Sequence, residues 1–357
     1  MTYITQKITM WSIKSILAAL ILCLGIFTLY TQTELPPIQG RPILYQPDLL
    51  PWPQDIHPGN PDLTEPTSNR IYDLHMQIKD CEAMDLILST SGNYHMALTD
   101  FWFDFIIPKY GLQNWYFSTS PPISPEQTNN SILTYTNISL QCQPHIAVGP
   151  KGVINALKKD SIIFGEPIPL FTNRGNVLLV KKGNPKNIKR LWDLERSDVV
   201  LATSNPYSEP GSFGNYAKSI YHMALHDGNE TKALDLFESL FGKNTKKWIV
   251  GKRIHHREVP HLIYSDHADV GILFYHLARY MMKTFPHEFE IIPLGGTIEN
   301  PIPLPGNQIG KLFLARINTK LTKKQSTARE QFISEIRDGA FDPYLEKHHI
   351  NPIRDRK

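Results

Sequence analysis

The features missing from this sequence narrow its function quickly. No Lys/Arg-rich run and no basic stripe with interleaved aromatics interrupts its 357 residues, and the formal net charge is only +3. A nucleic-acid partner is therefore not expected. There is no G-x-S-x-G elbow, no phosphate-binding P-loop, no paired-carboxylate motif and no H-E-x-x-H spacing. Signatures of nucleophilic, phosphoryl-transfer and zinc chemistry are thus missing, and no enzyme and no cofactor is expected. Internal repeats and low-complexity tracts are absent as well. What remains is an ordinary globular composition, 41% hydrophobic and 20% charged. It is long enough to bury one large core or two modest ones.

Charge is also missing from Ser15 to Tyr30 (SILAALILCLGIFTLY), behind Lys7 and Lys14. This pairs the charged n-region with the apolar h-region of an export signal. It is short for a spanning helix, which needs about 20 apolar residues, although a start at Met10 that tolerates Lys14 reaches across. No small-x-small pair stands near Tyr30, Thr31 and Gln32. Leu22 before Cys23 is not the small residue that precedes a lipidated cysteine. Residues 1–33 therefore read as a cleaved signal or a retained membrane anchor. Both place the remainder outside the inner membrane. Two cysteines remain there, Cys81 and Cys142, and an oxidising compartment permits them to pair. Two buried free thiols are the plainer alternative.

Residues 34–71 are dense in proline, from Pro36 to Pro66. Proline lacks an amide donor and fixes φ, so an extended tether is expected here, or an arm laid on the surface through Leu49, Leu50 and Trp52. Beyond it, short apolar runs alternate with helical periodicity. Strands are expected at Met84–Leu88, Asn114–Ser118, Pro144–Val148, Asn176–Lys181, Asp198–Ala202, Ala268–Phe274, Glu290–Pro293 and Lys311–Ile317. Helices are expected at Tyr94–Ile107, Val153–Lys158, Ile188–Leu194, Phe213–His226 and Lys323–Arg337. Such alternation implies an α/β fold with a mostly parallel sheet.

One pattern recurs where these strands end. Ser89-Thr90-Ser91, Thr119-Ser120, Gly149-Pro150 and Thr203-Ser204-Asn205 all put small hydroxyl, glycine or amide residues before a helix, and Gly211-Ser212 opens the helix after the last. In an open parallel sheet the ligand crevice lies at the strands' carboxyl ends. Helix N-termini there offer unpaired amides and a positive dipole end to an anion. Each turn by itself also serves as a helix cap; the repetition argues for a neutral oxyanion cradle.

The densest polar cluster is His255-His256-Arg257-Glu258, with His261 and His267 nearby. In an extended segment adjacent histidines point to opposite faces and do not share an ion, so no metal site is expected. His256 and Arg257 are candidates to face an anion, because a guanidinium grips an oxyanion bidentately. Glu209 beside Ser212 reads as a helix-capping turn rather than a catalytic pair.

These residues resemble bacterial extracytoplasmic solute-binding proteins of the molybdate-binding type, over about Asp85–Glu346. The resemblance rests on Ser89-Thr90-Ser91, on Thr119-Ser120-Pro121-Pro122 with Gln127, on Val177–Pro185, on Leu191-Trp192-Asp193-Leu194, on Val199–Ala202 with Asn205-Pro206, and on Ala268–Ile272. It implies a two-lobed periplasmic-binding fold of type II, with two mostly parallel sheets joined by two crossover strands. Lobe 1 takes residues 72–178 and 290–357, and lobe 2 takes 179–289. It implies a small anionic solute, molybdate-, tungstate- or sulfate-like, held between the lobes. Ser91 and Thr119 or Ser120 would contact it from the first lobe, and Gly211-Ser212 with the Phe274-Tyr275 region from the second. Tyr275 falls one place past the expected strand end, and Pro121-Pro122 stand where molybdate binders carry hydroxyls. Both departures imply a side branch with another ligand. In this fold Cys81 and Cys142 precede neighbouring strands, so the resemblance implies a Cys81–Cys142 disulfide. The expected use is delivery to an ABC permease by a monomer on the periplasmic side of the inner membrane. A membrane-anchored sensor on the same fold and a histidine-dependent metallohydrolase are the alternatives.

Overall fold

A computed structural model describes residues 34–45, 73–75, 82–90, 93–120, 132–135, 138–141, 143–252 and 255–356. The chain divides into two units, Met1–Pro37 and Ile38–Lys357. In the first, the described residues 34–37 carry no regular structure. Among the described residues no helix is long and apolar enough to cross a membrane. The N-terminal segment expected to be a signal or anchor lies outside them, as do Cys81 and Cys142.

All regular structure described here belongs to the second unit. Its strands are β1 (Ile43–Leu44), β2 (Asp73–His75), β3 (Leu86–Thr90), β4 (Trp115–Ser120), β5 (Ile132–Tyr135), β6 (Ile138–Gln141), β7 (Ile146–Pro150), β8 (Ile163–Thr172), β9 (Asn176–Lys181), β10 (Leu201–Thr203), β11 (Trp248–Val250), β12 (Val270–Phe274), β13 (Phe289–Ile292), β14 (Lys311–Ile317) and β15 (Asn351–Pro352). Its α-helices are α1 (His95–Phe101), α2 (Ile107–Tyr110), α3 (Lys151–Lys159), α4 (Pro210–Asp227), α5 (Glu230–Phe241), α6 (His255–Tyr264), α7 (Tyr275–Thr284), α8 (Lys323–Arg337) and α9 (Asp342–Lys347).

The strands form two large sheets, and this is the expected two-lobed α/β architecture. The first sheet has the order β15-β8-β14-β7-β3-β4-β2 and the second β1-β11-β10-β12-β9-β13. The two share one plan. Three parallel strands lie in the spatial order second-first-third, as β4-β3-β7 and as β11-β10-β12. An antiparallel strand follows, β14 or β9, and then β8 or β13. The repeat is one of topology, without a repeat in sequence. Every residue of β12 is buried. That is the pattern of a strand covered on both faces, and it explains why apolar runs rather than alternation marked the central strands. Stacked Trp102 and Trp115, with centroids 4.1 Å apart, anchor the first core. Phe213, Phe241 and Trp248 do so in the second.

Three expectations need correction. First, β13 pairs with β9 in the second sheet, so the chain returns to the first lobe at β14 rather than at residue 290. Second, part of the expected tether is a strand. β1 lies parallel to β11 with Ile43 opposite Ile249 and Leu44 opposite Val250. The Gly40 amide donates to the Phe241 carbonyl at 2.7 Å. A Cβ on Gly40 would come within 2.4 Å of the Gly242 carbonyl oxygen, so only glycine allows this approach. Third, the His255–His256 segment is helical rather than extended.

Two segments carry the chain between the sheets, residues 173–175 and 293–310. An asparagine clasp joins them. Asn173 Oδ1 accepts from the amides of Gly175 (3.1 Å) and Gly310 (3.0 Å). Asn307 Oδ1 accepts from the Asn176 amide, and its Nδ2 donates to the Asn176 carbonyl, both at 2.9 Å. Asn176 Nδ2 donates to Asn215 and Ser219 on α4. Buried amides paired on both sides hold the crossovers in one register.

Candidate functional site

In each sheet the order reverses between the first and third parallel strands, and that is where an α/β sheet opens its ligand crevice. On the first lobe β3 ends there at Ser89-Thr90. Thr90 is buried and its hydroxyl donates to Tyr94 Oη at 2.9 Å, fixing the turn into α1. Ser91 lies outside the described residues. Gly149 is the fourth residue of β7, opposite Phe313. Thr119 and Ser120 belong to strand β4 itself rather than to a following turn.

The second lobe contributes different chemistry. Glu209 stands at the N-cap of α4, yet its side chain makes no cap bond. Its carboxylate instead accepts from the His255 amide at 3.0 Å and lies 2.8 Å from His255 Nδ1. The first turn of α4, with Gly211 exposed and Ser212 half-buried, is left without a side-chain cap, and an uncapped helix N-terminus presents unpaired amides and the positive end of its dipole. Asn205 is committed elsewhere. Its Nδ2 donates to the Gly251 carbonyl at 2.9 Å and its Oδ1 accepts from the Tyr207 amide at 2.9 Å. It ties the β10 turn to the approach of α6 and has no amide group left for a solute.

Helix α6 rests directly on β12. A Cβ on Gly271 would fall 2.3 Å from Val259 Cγ1 and 3.1 Å from Ile263 Cδ1. This close packing sets the position of His255, His256 and Arg257, all at most 3% exposed. The His256 ring stacks on His95 of α1 in the first lobe, at 5.4 Å and 30°. His95 also meets Tyr280 of α7 edge-on. Among the described residues of the second lobe, Ser204 Oγ and His255 Nε2 are buried without a hydrogen-bond partner, as is His276 Nδ1 on α7; the Tyr216 hydroxyl lies against the Phe274 backbone. Ser204 and His255 come from the β10 turn and α6, and the Tyr216 and His255 rings lie 5.7 Å apart. Burial and the charge of Glu209 push the Tyr216 phenol well up, so it stays protonated as a donor. Tyr275, expected at the ligand, is bound up with the crossovers. Its Oη donates to the Ile298 carbonyl at 2.5 Å, and its amide donates to the Gly175 carbonyl at 3.0 Å. Among the described residues no group of three or more His, Cys, Asp or Glu side chains could hold a metal ion.

The profile of the family described as bacterial extracellular solute-binding protein matches residues 146–339. This chain belongs to that family. The solute-binding protein is 25% identical over 258 residues to a sulfate-binding protein of Synechococcus elongatus, a match covering 70% of this chain and 71% of the relative. A shorter stretch of 79 residues is 40% identical to a sulfate-binding protein of Salmonella typhimurium, covering 22% of this chain and 23% of that one. Among solved structures it is similar to the sulfate-binding protein SubI from Mycobacterium tuberculosis, at 17% identity and a TM-score of 0.52, covering 76% of this chain and 87% of that one. It is also similar to Peb3 from Campylobacter jejuni, at 14% identity and a TM-score of 0.50, covering 74% and 99%. These structural likenesses carry the two-lobed fold. The relatives bind solutes and are not enzymes, in keeping with the motifs that the sequence lacks.

Several residues that the fold brings together around α1, α4 and α6 were not legible beforehand. His95 follows the Ser89–Asn93 turn, and its position as the first residue of α1 was the available signal. The partnership of Glu209 with His255 spans 46 positions, and no local spacing announces it. Helix α6 had a signal: Val259, Leu262 and Ile263 stand at helical spacing and are buried.

Proposed function

We propose that this solute-binding protein captures a small anion between its lobes and hands it to an ABC-type permease outside the cytoplasm. The observation that carries this reading is the pair of unpartnered buried atoms, Ser204 Oγ and His255 Nε2, beside the uncapped start of α4. Buried polar groups are almost always hydrogen-bonded, so two left without a partner are candidates to bind a solute. The helix N-terminus favours negative charge there. First-lobe hydroxyls of Ser89, Ser91, Thr119 and Ser120 close the cradle in this reading. Sulfate is the first candidate, since two relatives carry that name; molybdate, tungstate, phosphate, phosphate esters and small carboxylates complete the series.

Titration calorimetry with these anions tests the reading. One of them binds the wild type, and His256→Gln binds it at least tenfold more weakly while keeping the same far-UV dichroism. At about 100 times the dissociation constant that anion adds about 2.7 kcal/mol to the stability of the fold. Absence of heat with every anion at millimolar concentration overturns the proposal.

A further inference from the structure

We infer that a seam of histidines latches the two lobes together and that acid releases the latch. Every contact in this seam joins one lobe to the other. His276 on α7 points its Nε2 at the Asn93 carbonyl just ahead of α1, 2.5 Å away. Its Nδ1 is buried and has no hydrogen-bond partner. His256 stacks on His95. Tyr280 packs edge-on against both His95 (5.4 Å) and His348 (6.4 Å). Tyr275 meets His349 edge-on at 5.8 Å. Imidazoles therefore stand on both sides, His95, His348 and His349 on the first lobe and His256 and His276 on the second.

Neutral imidazoles pack in this way, but imidazoliums need water and repel one another. The charged and titratable groups around the two key rings offer no relief. His348, His349 and His255 act on His276 across the seam and from α6; Tyr275, Arg279 and Tyr280 share its helix. Arg279, Arg174 and His348 act on His349. Of the nearby carboxylates, Asp100 is engaged by His348 and Lys347, each at 2.7 Å, and Glu209 by His255. Burial is the largest cause of the low proton affinity of both rings; for His276 it outweighs the Asn93 carbonyl, which raises the affinity, and the neighbouring histidines and arginines lower it further. Together they hold His276 down to about 3 and His349 down to about 4.

Once the lobes part, these rings regain water and titrate near the ordinary value of about 6.5. Above that pH neither form holds the extra protons, and closure does not depend on pH. As the pH falls from about 6.5 toward about 4, the open form takes up protons that the closed form refuses, and closure weakens by up to about tenfold per pH unit for each histidine. The inference needs no particular solute and stands apart from the identity of the anion.

Small-angle X-ray scattering of the full chain without added solute, from about pH 8 to about pH 5, reads the latch directly. The radius of gyration of the wild type rises reversibly below about pH 6.5 at constant far-UV dichroism. The double variant His276→Gln/His349→Asn stays compact over the same range. Glutamine keeps an N–H donor for Asn93, and asparagine tolerates the positive φ of 61° at position 349. A wild type that keeps its dimensions through about pH 5, or a double variant that expands at the wild-type pH, overturns the inference. If the double variant lacks native dichroism at about pH 8, the two single variants decide. Each must open with a shallower pH dependence than the wild type, and unchanged steepness in both overturns it.

Discussion

The two lobes share a topology and differ in chemistry. Both place a second-first-third array of parallel strands beside an antiparallel crossover strand. Yet the first lobe brings hydroxyls, glycine and proline to its strand ends, while the second brings a buried carboxylate, two buried histidines and a buried arginine. The shared plan gives each lobe one switch point, the place where an α/β sheet receives a solute. The difference decides what the solute meets. A fold-level likeness to sulfate-binding proteins therefore locates the cleft better than it specifies the occupant.

The contrast predicts that second-lobe substitutions cost more than first-lobe ones. The largest effect is expected from Gly271→Ala, whose new methyl collides with Val259 and lifts α6 off β12. Overpacking of this kind costs about 3 kcal/mol. Urea denaturation should show that loss, and anion binding should disappear with it. Glu209→Gln comes next. It removes the charge that orients His255 and leaves a buried ring poorly paired, for about 2 kcal/mol and a clear drop in affinity by calorimetry. Asn307→Ala opens the clasp shared by both lobes and should cost about 1–2 kcal/mol. Its signature is a larger radius of gyration without a change of site residues. Thr90→Val is the smallest. It deletes one first-lobe hydrogen bond to Tyr94, for about 1 kcal/mol in thermal unfolding, and leaves anion affinity nearly unchanged. If Thr90→Val weakened binding more than Glu209→Gln, the assignment of roles to the two lobes would be reversed.

Much of the lobes was legible because their central strands are continuous apolar runs, and a run such as Val270–Phe274 needs no context to be read as a buried strand. The two-residue strand at Ile43–Leu44 was hidden among prolines, and only its pairing with Ile249 and Val250 reveals it. Helix α6 was masked by its composition, since His255, His256, Arg257 and Pro260 obscure a helical face that packing against Gly271 makes decisive. The candidate site was half legible. Helix-opening residues such as Gly211 and Ser212 announce themselves locally. Partners that meet only in three dimensions, Glu209 with His255 or His276 with Asn93, leave no spacing to find. Tyr275 and Asn205 were legible as important residues but not in their role, because whether a polar side chain faces a solute or its own backbone depends on the fold around it.

The arm at Ile38–Tyr45 bears on how the molecule would behave under load. By adding an edge strand to β11 and packing Tyr45 at a tilt on His267, 3.8 Å between ring centroids, it welds the amino-terminal entry of this unit to the second lobe. A bead, surface or fusion attached ahead of Ile38 grips that lobe first. The second lobe then becomes the stator, and the first, carried on the two asparagine-clasped crossovers, becomes the part that swings.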